Sequence, residues 1–145
     1  MNLAIVGSRT FSDWLIGWHE TREVIKQYPK IDTVVSGGAN GADKFGKKFA
    51  RVSRLKYKAF LPDWDKFGKS AGMIRNRDII DNADVAIVFW DGISKGTKNA
   101  IDLILSKKIP YTIIMFKDEL LDSDKEDIEI EKYEKASSSS PLLRL

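Results

Sequence analysis

The residues best suited to chemistry fall in three short loops, each built from small and hydrogen-bonding side chains. They are Gly7-Ser8-Arg9-Thr10, then Gly37-Gly38-Ala39-Asn40-Gly41-Ala42-Asp43 directly after Ser36, and Asp91-Gly92-Ile93-Ser94-Lys95-Gly96-Thr97. Glycine reaches positive φ and leaves no Cβ between the backbone and a ligand. Backbone N–H groups exposed in this way, beside a guanidinium and several hydroxyls, suit an anion and phosphate above all. Arg9 is the first candidate for a phosphate, because a planar guanidinium binds it bidentately; the plain alternative is a surface ion pair. Asp43 fits either a ribose hydroxyl or the free N–H groups of a first helical turn. Downstream stand Arg75, Asn76 and Arg77. On a helix the two arginines cannot share a face, so at most one points into a common site, while Asn76 suits a base edge. Trp64 and Trp90 are flat enough to stack on a base, although Trp90 ends an apolar run and reads first as core.

Other chemistries are poorly supplied. The chain has no cysteine, which rules out disulfides and thiolate catalysis, and a single histidine, His19, which disfavours zinc catalysis and a Ser-His-Asp triad. No paired histidines or acidic cluster has metal-ligand spacing, so neither a metal nor a separate cofactor is expected. There is no GxxxxGK[ST] and no GxGxxG after the first apolar run, which disfavours a P-loop and ordinary nicotinamide dinucleotide binding.

The elements that must position these loops are legible from periodicity. Asn2–Val6, Asp32–Ser36, Lys56–Phe60, Asp84–Trp90 and Ile109–Phe116 read as strands, and Asp84–Trp90 is continuously apolar, as a strand buried on both faces must be. Between them lie helical patterns: Trp14, Trp18, Thr21, Ile25 and Tyr28; Ala42, Phe45, Phe49 and Val52; Met73, Ile74, Ile79 and Ile80; and Ile101, Ile104 and Leu105. The alternation predicts an α/β domain with a mostly parallel five-stranded sheet covered on both faces. With strand order 3-2-1-4-5, the first and fourth strands flank a crevice at their carboxyl ends, and all three loops converge there. Any one loop alone reads equally well as a tight strand–helix turn.

Charge divides the chain in two. Residues 1–116 carry 19 Lys and Arg against 12 Asp and Glu, whereas residues 117–135 carry 4 against 9. A basic domain over 1–116 favours anionic partners or is simply a solvated surface. Residues 117–145 are expected to form an acidic tail, flexible or partly helical, that folding does not require. A chain cut after Lys117 should keep a cooperative thermal transition; an insoluble or molten product would make the acidic segment structural. No apolar run approaches the ~18 residues of a membrane span, and Gly7-Ser8-Arg9 interrupts the N-terminal run before a signal h-region could form. The expected compartment is the cytoplasm, with no membrane partner.

The motifs in this order resemble the SLOG superfamily, in its YspA/YpsA-like branch. The resemblance rests on Gly7-Ser8-Arg9 with Phe11, on Ser36-Gly37-Gly38-Ala39-Asn40-Gly41-Ala42-Asp43, on Ala71-Gly72-Met73-Ile74-Arg75-Asn76-Arg77 and on Gly96-Thr97, and covers about residues 3–114. It implies a Rossmann-like, three-layer fold and a nucleotide or nucleotide-derived ligand. Relatives implied by it include the LOG phosphoribohydrolases and the single-strand DNA-binding protein DprA. The LOG enzymes follow a Gly-Gly-x-Gly-Thr motif with a catalytic Glu; here Gly96-Thr97 is followed by Lys98, Asn99 and Ala100.

Three functions follow. The first is binding or sensing of a phosphate-bearing, nucleotide-like small molecule by Gly7, Ser8, Arg9, Ser36, Gly37, Gly38, Asn40, Gly41, Asp43, Arg75, Asn76, Gly96 and Thr97. The second is hydrolysis of an N-glycosidic bond, with Asp43 or Asp91 replacing the missing Glu. The third is a DprA-like contact to single-stranded nucleic acid, by Lys44, Lys47, Lys48, Arg51 and Arg54, expected to be weak and salt-sensitive; a charge run opposite the core stripe of Phe45, Phe49 and Val52 reads first as a solvated face. Homo-oligomerisation is compatible with all three.

Overall fold

A computed structural model describes residues 1–117, and the expected acidic tail lies outside them. Five strands, β1 (Asn2–Gly7), β2 (Thr33–Ser36), β3 (Lys56–Ala59), β4 (Val85–Trp90) and β5 (Tyr111–Met115), form one sheet in the order β3-β2-β1-β4-β5. Every neighbouring pair is parallel, so the sheet expected to be mostly parallel is entirely so among the described residues. The helices are α1 (Trp14–Gln27), α2 (Ala42–Val52), the single turn α3 (Trp64–Phe67), α4 (Ala71–Asp81) and α5 (Lys95–Lys107). A 3-10 turn, Gly68–Ser70, joins α3 to α4 where the sequence predicted only a loop.

Strand alternation sorts the core into two halves. Leu3 and Ile5 of β1 face α1 and α2 with Val34, Phe45, Phe49, Ile87 and Phe89. Ala4 and Val6 face α4 and α5 with Val35, Ile79, Ile80, Val88, Ile101 and Ile104. β1 and β4 are thus covered on both sides, which is why both read as unbroken apolar runs. The architecture is a three-layer, Rossmann-like α/β domain.

Helix ends are fixed locally. The Asp13 carboxylate accepts from the Ile16 N–H and starts α1. Lys108, at φ 61°, closes α5 by donating its N–H to the Ile104 carbonyl. Beside it, the Lys107 ammonium donates to the carbonyls of Ile80, Asp81 and Ala83 and so caps the end of α4.

The apolar stripes differ in detail from their predicted positions. α1 buries Ile16, Glu20, Thr21 and Val24, with Trp18, Ile25 and Tyr28 at the margin. Trp14 instead lies partly exposed across Phe45, ring centroids 5.2 Å apart. Val52, Met73 and Leu105 are also exposed. Spacing identifies a helix face, but not where along its length the sheet stops covering it.

Candidate functional site

All three loops meet at the carboxyl edge of the sheet, as the strand order requires. The loop after β1 is anchored by Phe11, buried and stacked on Phe89 with centroids 4.2 Å apart. That plug holds Arg9 and Thr10 at the surface, where both line a cavity of about 350 Å³. Its wall is completed by Gly7, Ala39, Asp43, Arg75, Asn76, Asp91 and the first turn of α5 (Lys95, Gly96, Thr97). A second lobe of about 300 Å³ shares Arg9, Ala39 and Arg75 and extends over Gly37, Gly38, Asn40, Leu61, Pro62 and Trp64. Each lobe falls within the ~300–1,000 Å³ range of small-molecule sites.

Behind the wall, hydroxyls tie the loops together. Ser8 is buried; its Oγ accepts from the Asp91 N–H at 3.1 Å and lies 3.3 Å from both Ser94 Oγ and Thr97 Oγ1. The single hydroxyl hydrogen of Ser36 is shared between the Ile5 carbonyl, 2.7 Å from Oγ, and Asp43 Oδ1, 3.0 Å from it. Asp91 Oδ1 accepts from the N–H groups of Ile93 and Ser94, shaping the turn that leads into α5. Trp90 Nε1 donates to the Ser94 carbonyl and braces this loop, while its ring packs against the core and lines neither lobe.

Asp43 and Arg75 form the floor between the lobes. Asp43 Oδ2 accepts from the Ala39 N–H at 3.1 Å and lies 4.0 Å from Arg75 Nη1. The N–H groups it satisfies are those of the glycine loop, not of the first turn of α2. Arg75 donates Nη1 to the Gly37 carbonyl at 2.9 Å and Nε to Asn76 Oδ1 at 3.1 Å. Asn76 Nδ2 donates in turn to the Gly96 carbonyl and to Asn99 Oδ1. The Asn76 carboxamide is therefore engaged in bracing α4 against α5, and a base edge would have to displace those bonds. Arg77 points away and is exposed, so one arginine of the pair reaches the crevice.

Burial raises the Asp43 carboxyl pKa above its ordinary value, against the lowering influence of the Ala39 N–H, Arg75 and Ser36. Burial likewise lowers Arg75; Asp43 opposes that, and the neighbouring Arg9 guanidinium reinforces it. Desolvation works against ionised Asp91, but the N–H groups of Ser94 and Ile93 outweigh it and hold its carboxyl pKa below the usual value.

Of the thirteen residues read from sequence as candidates, ten line a lobe. Ser8, Ser36 and Gly41 do not; they are buried behind the wall and hold it together. Thr10, Ala39, Lys95, Leu61 and Pro62 line the crevice without having been singled out. Lys95 was within reach of sequence reasoning, since it opens the helix after the third loop. Leu61 and Pro62 follow β3, which the expected strand order already sets beside β2, but as apolar residues in a loop they carry no signal of ligand chemistry. Each of the three loops leads into a helix, and from sequence all three helix starts are expected to face the site; α1 departs from this, since none of its residues lines either lobe and its first turn is capped by Asp13.

Residues 1–67 match the profile of the family described as YAcAr: YspA, cpYpsA-related SLOG family. Gene 61 protein of Mycobacterium phage D29 is 33% identical over 103 residues, covering 67% of this chain and 82% of that protein. DNA processing protein A from Helicobacter pylori, whose structure describes a single-stranded DNA binding mode, superposes with a TM-score of 0.61 at 19% identity. The match covers 91% of this chain and 73% of that one. DNA processing protein A from Streptococcus pneumoniae gives 0.59 at 18% identity, over 96% of this chain and 56% of that one. At such identities the two structures show a common fold.

Proposed function

The chain belongs to the YspA, cpYpsA-related SLOG family, and from that premise we propose that its two-lobed crevice binds a nucleotide-like small molecule through phosphate. The observation that carries this reading is the pair Arg9 and Arg75. Two guanidiniums face one cavity, and the carboxylate beside Arg75, Asp43, already accepts from Ser36 and Ala39. Arg9 itself makes no hydrogen bond or ion pair among the described residues. An anion between them would relieve their repulsion and supply Arg9 with a partner. Lys95 and the first turn of α5, whose leading N–H groups have no intrahelical acceptor, add further positive potential on the same wall. The second lobe, where Trp64 is half exposed, offers a stacking surface for a base.

The test is calorimetry against AMP, ADP and ADP-ribose. Wild type is expected to bind at least one of them. Arg9→Ala removes an exposed side chain, so it should fold normally and bind that ligand about tenfold or more weakly, the size of a lost charge-assisted contact. Unchanged affinity would place the phosphate elsewhere. Release of free base during the titration would replace binding by N-glycosidic hydrolysis, and Asp91→Asn would then be the discriminating variant.

A further inference from the structure

We propose that the outer face of α2 is a second anion-binding surface, separate from the crevice, that tracks the phosphate backbone of a nucleic-acid strand. Lys44, Lys47, Lys48 and Arg51 recur at i, i+3, i+4 and i+7 and are all exposed, while Ala42, Phe45, Gly46, Phe49 and Ala50 bury the opposite side. Arg54 extends the run past the end of the helix. Between Asp43 and Asp63 the chain has seven basic residues and no acidic one. The ion pairs of the described residues are Met1–Asp32, Lys26–Glu23, Arg75–Asp43 and Lys98–Asp102. None uses a cation of this stripe.

A solvated helix face usually intersperses both signs, because like charges at i, i+4 repel. Here Lys44–Lys48 and Lys47–Arg51 are such pairs with no carboxylate between them. From Lys44 to Arg51 the stripe runs about 10 Å at ~1.5 Å per residue, long enough to meet successive phosphates of one strand. Its upper end is at the crevice rim, since α2 begins directly after the glycine loop.

A lipid surface is the other extended anion, and the helix is not built for it. A membrane-lying helix sets aromatic or large aliphatic residues beside its basic ones. Both aromatics of α2, Phe45 and Phe49, are wholly inside the core, and the helix exposes a single aliphatic side chain, Val52, at its last turn. Contacts limited to lysine and arginine predict binding that ignores base sequence and falls steeply with salt.

The full chain should be titrated against a fluorescent single-stranded 20-mer of thymidylate between 20 and 200 mM salt. Binding is expected at 20 mM salt and should weaken with a log–log slope of about −0.7 for each phosphate contacted. Lys47→Glu with Arg51→Glu should lower affinity at 20 mM roughly tenfold or more and flatten the slope, with thermal stability and nucleotide affinity in the crevice unchanged. Lys44→Gln with Lys48→Gln should do the same to a smaller degree. No binding at 20 mM salt, or equal binding by the reversed variant, would overturn the proposal. So would binding to vesicles containing phosphatidylserine without binding to the oligonucleotide. The crevice reading is measured with mononucleotides and Arg9→Ala, so either can fail without the other.

Discussion

Gly41→Ala is expected to destabilise the protein more than any other single alanine substitution in the glycine loop. Gly41 sits at φ +76°, and a Cβ built there would lie 2.3 Å from the Ser8 carbonyl oxygen and 2.5 Å from the Arg9 carbonyl group. Those are backbone atoms, and they cannot rotate aside. The Ser8 carbonyl is also the acceptor for the N–H groups of Ala42 and Phe11, so moving it loosens the start of α2 and the loop that carries Arg9. At φ +76° and ψ −125° this position lies outside the left-handed helical region, in backbone that only glycine normally adopts, and costs an alanine about 1–3 kcal/mol before any clash. Overlap with fixed backbone should bring the total to roughly 3 kcal/mol or more, among the larger effects of point substitutions. Gly38→Ala provides the comparison. Its φ is +78°, but its Cβ would meet only Leu61 Cδ2, the end of an exposed side chain that can swing away. It should therefore cost only the backbone strain, about 1–2 kcal/mol. Urea unfolding of the two variants decides the matter, and equal midpoints would mean that the two loops are not locked together at Gly41.

That contrast marks the boundary between what sequence reveals and what it does not. The loops, their order and their convergence follow from strand–helix alternation and from one topological rule. Each holds in the structure. Three-dimensional duty within a loop does not follow. Gly37, Gly38 and Gly41 look alike in sequence, yet a Cβ at Gly37 would strike Arg75 and Asp43, at Gly38 a mobile leucine, and at Gly41 the backbone of another loop. Glycine thus serves contact between protein groups at least as much as approach of a ligand. Gly96 alone of the loop glycines has open space where its Cβ would be, on the wall of the first lobe. Polar residues divide in the same way. Ser8, Ser36 and Asn76 have the chemistry of ligand-binding groups, and the structure spends that chemistry on neighbouring loops, because hydroxyls and carboxamides at buried junctions must find partners. Arg9 differs from them only in being left exposed, which no residue pattern records.

The crevice floor should show its own electrostatic signature. Arg75→Met removes the cation nearest Asp43 and leaves a buried carboxylate held by Ser36 Oγ and the N–H groups of Ala39 and Gly37, with no cation beside it. Breaking a buried pair by removing one partner commonly costs about 3–5 kcal/mol, and the 4.0 Å separation here places the expected loss toward 3 kcal/mol. Part of that loss must depend on pH. Burial already raises the folded-state pKa of Asp43 above its unfolded value, so the stability it contributes is complete below the unfolded pKa and is lost as pH rises through the folded one. Arg75 holds that folded pKa down, and without it the value climbs further. The deficit of Arg75→Met relative to wild type should therefore be small near pH 4 and grow toward neutrality. Asp43→Asn introduced into both backgrounds should remove the growth, leaving a constant difference from the lost bond to the Gly37 carbonyl. Chemical denaturation of all four proteins between pH 4 and 8 tests this. A deficit that stays constant across that range would show that Arg75 acts through Gly37 and Asn76 alone, and that the Asp43 charge needs no partner.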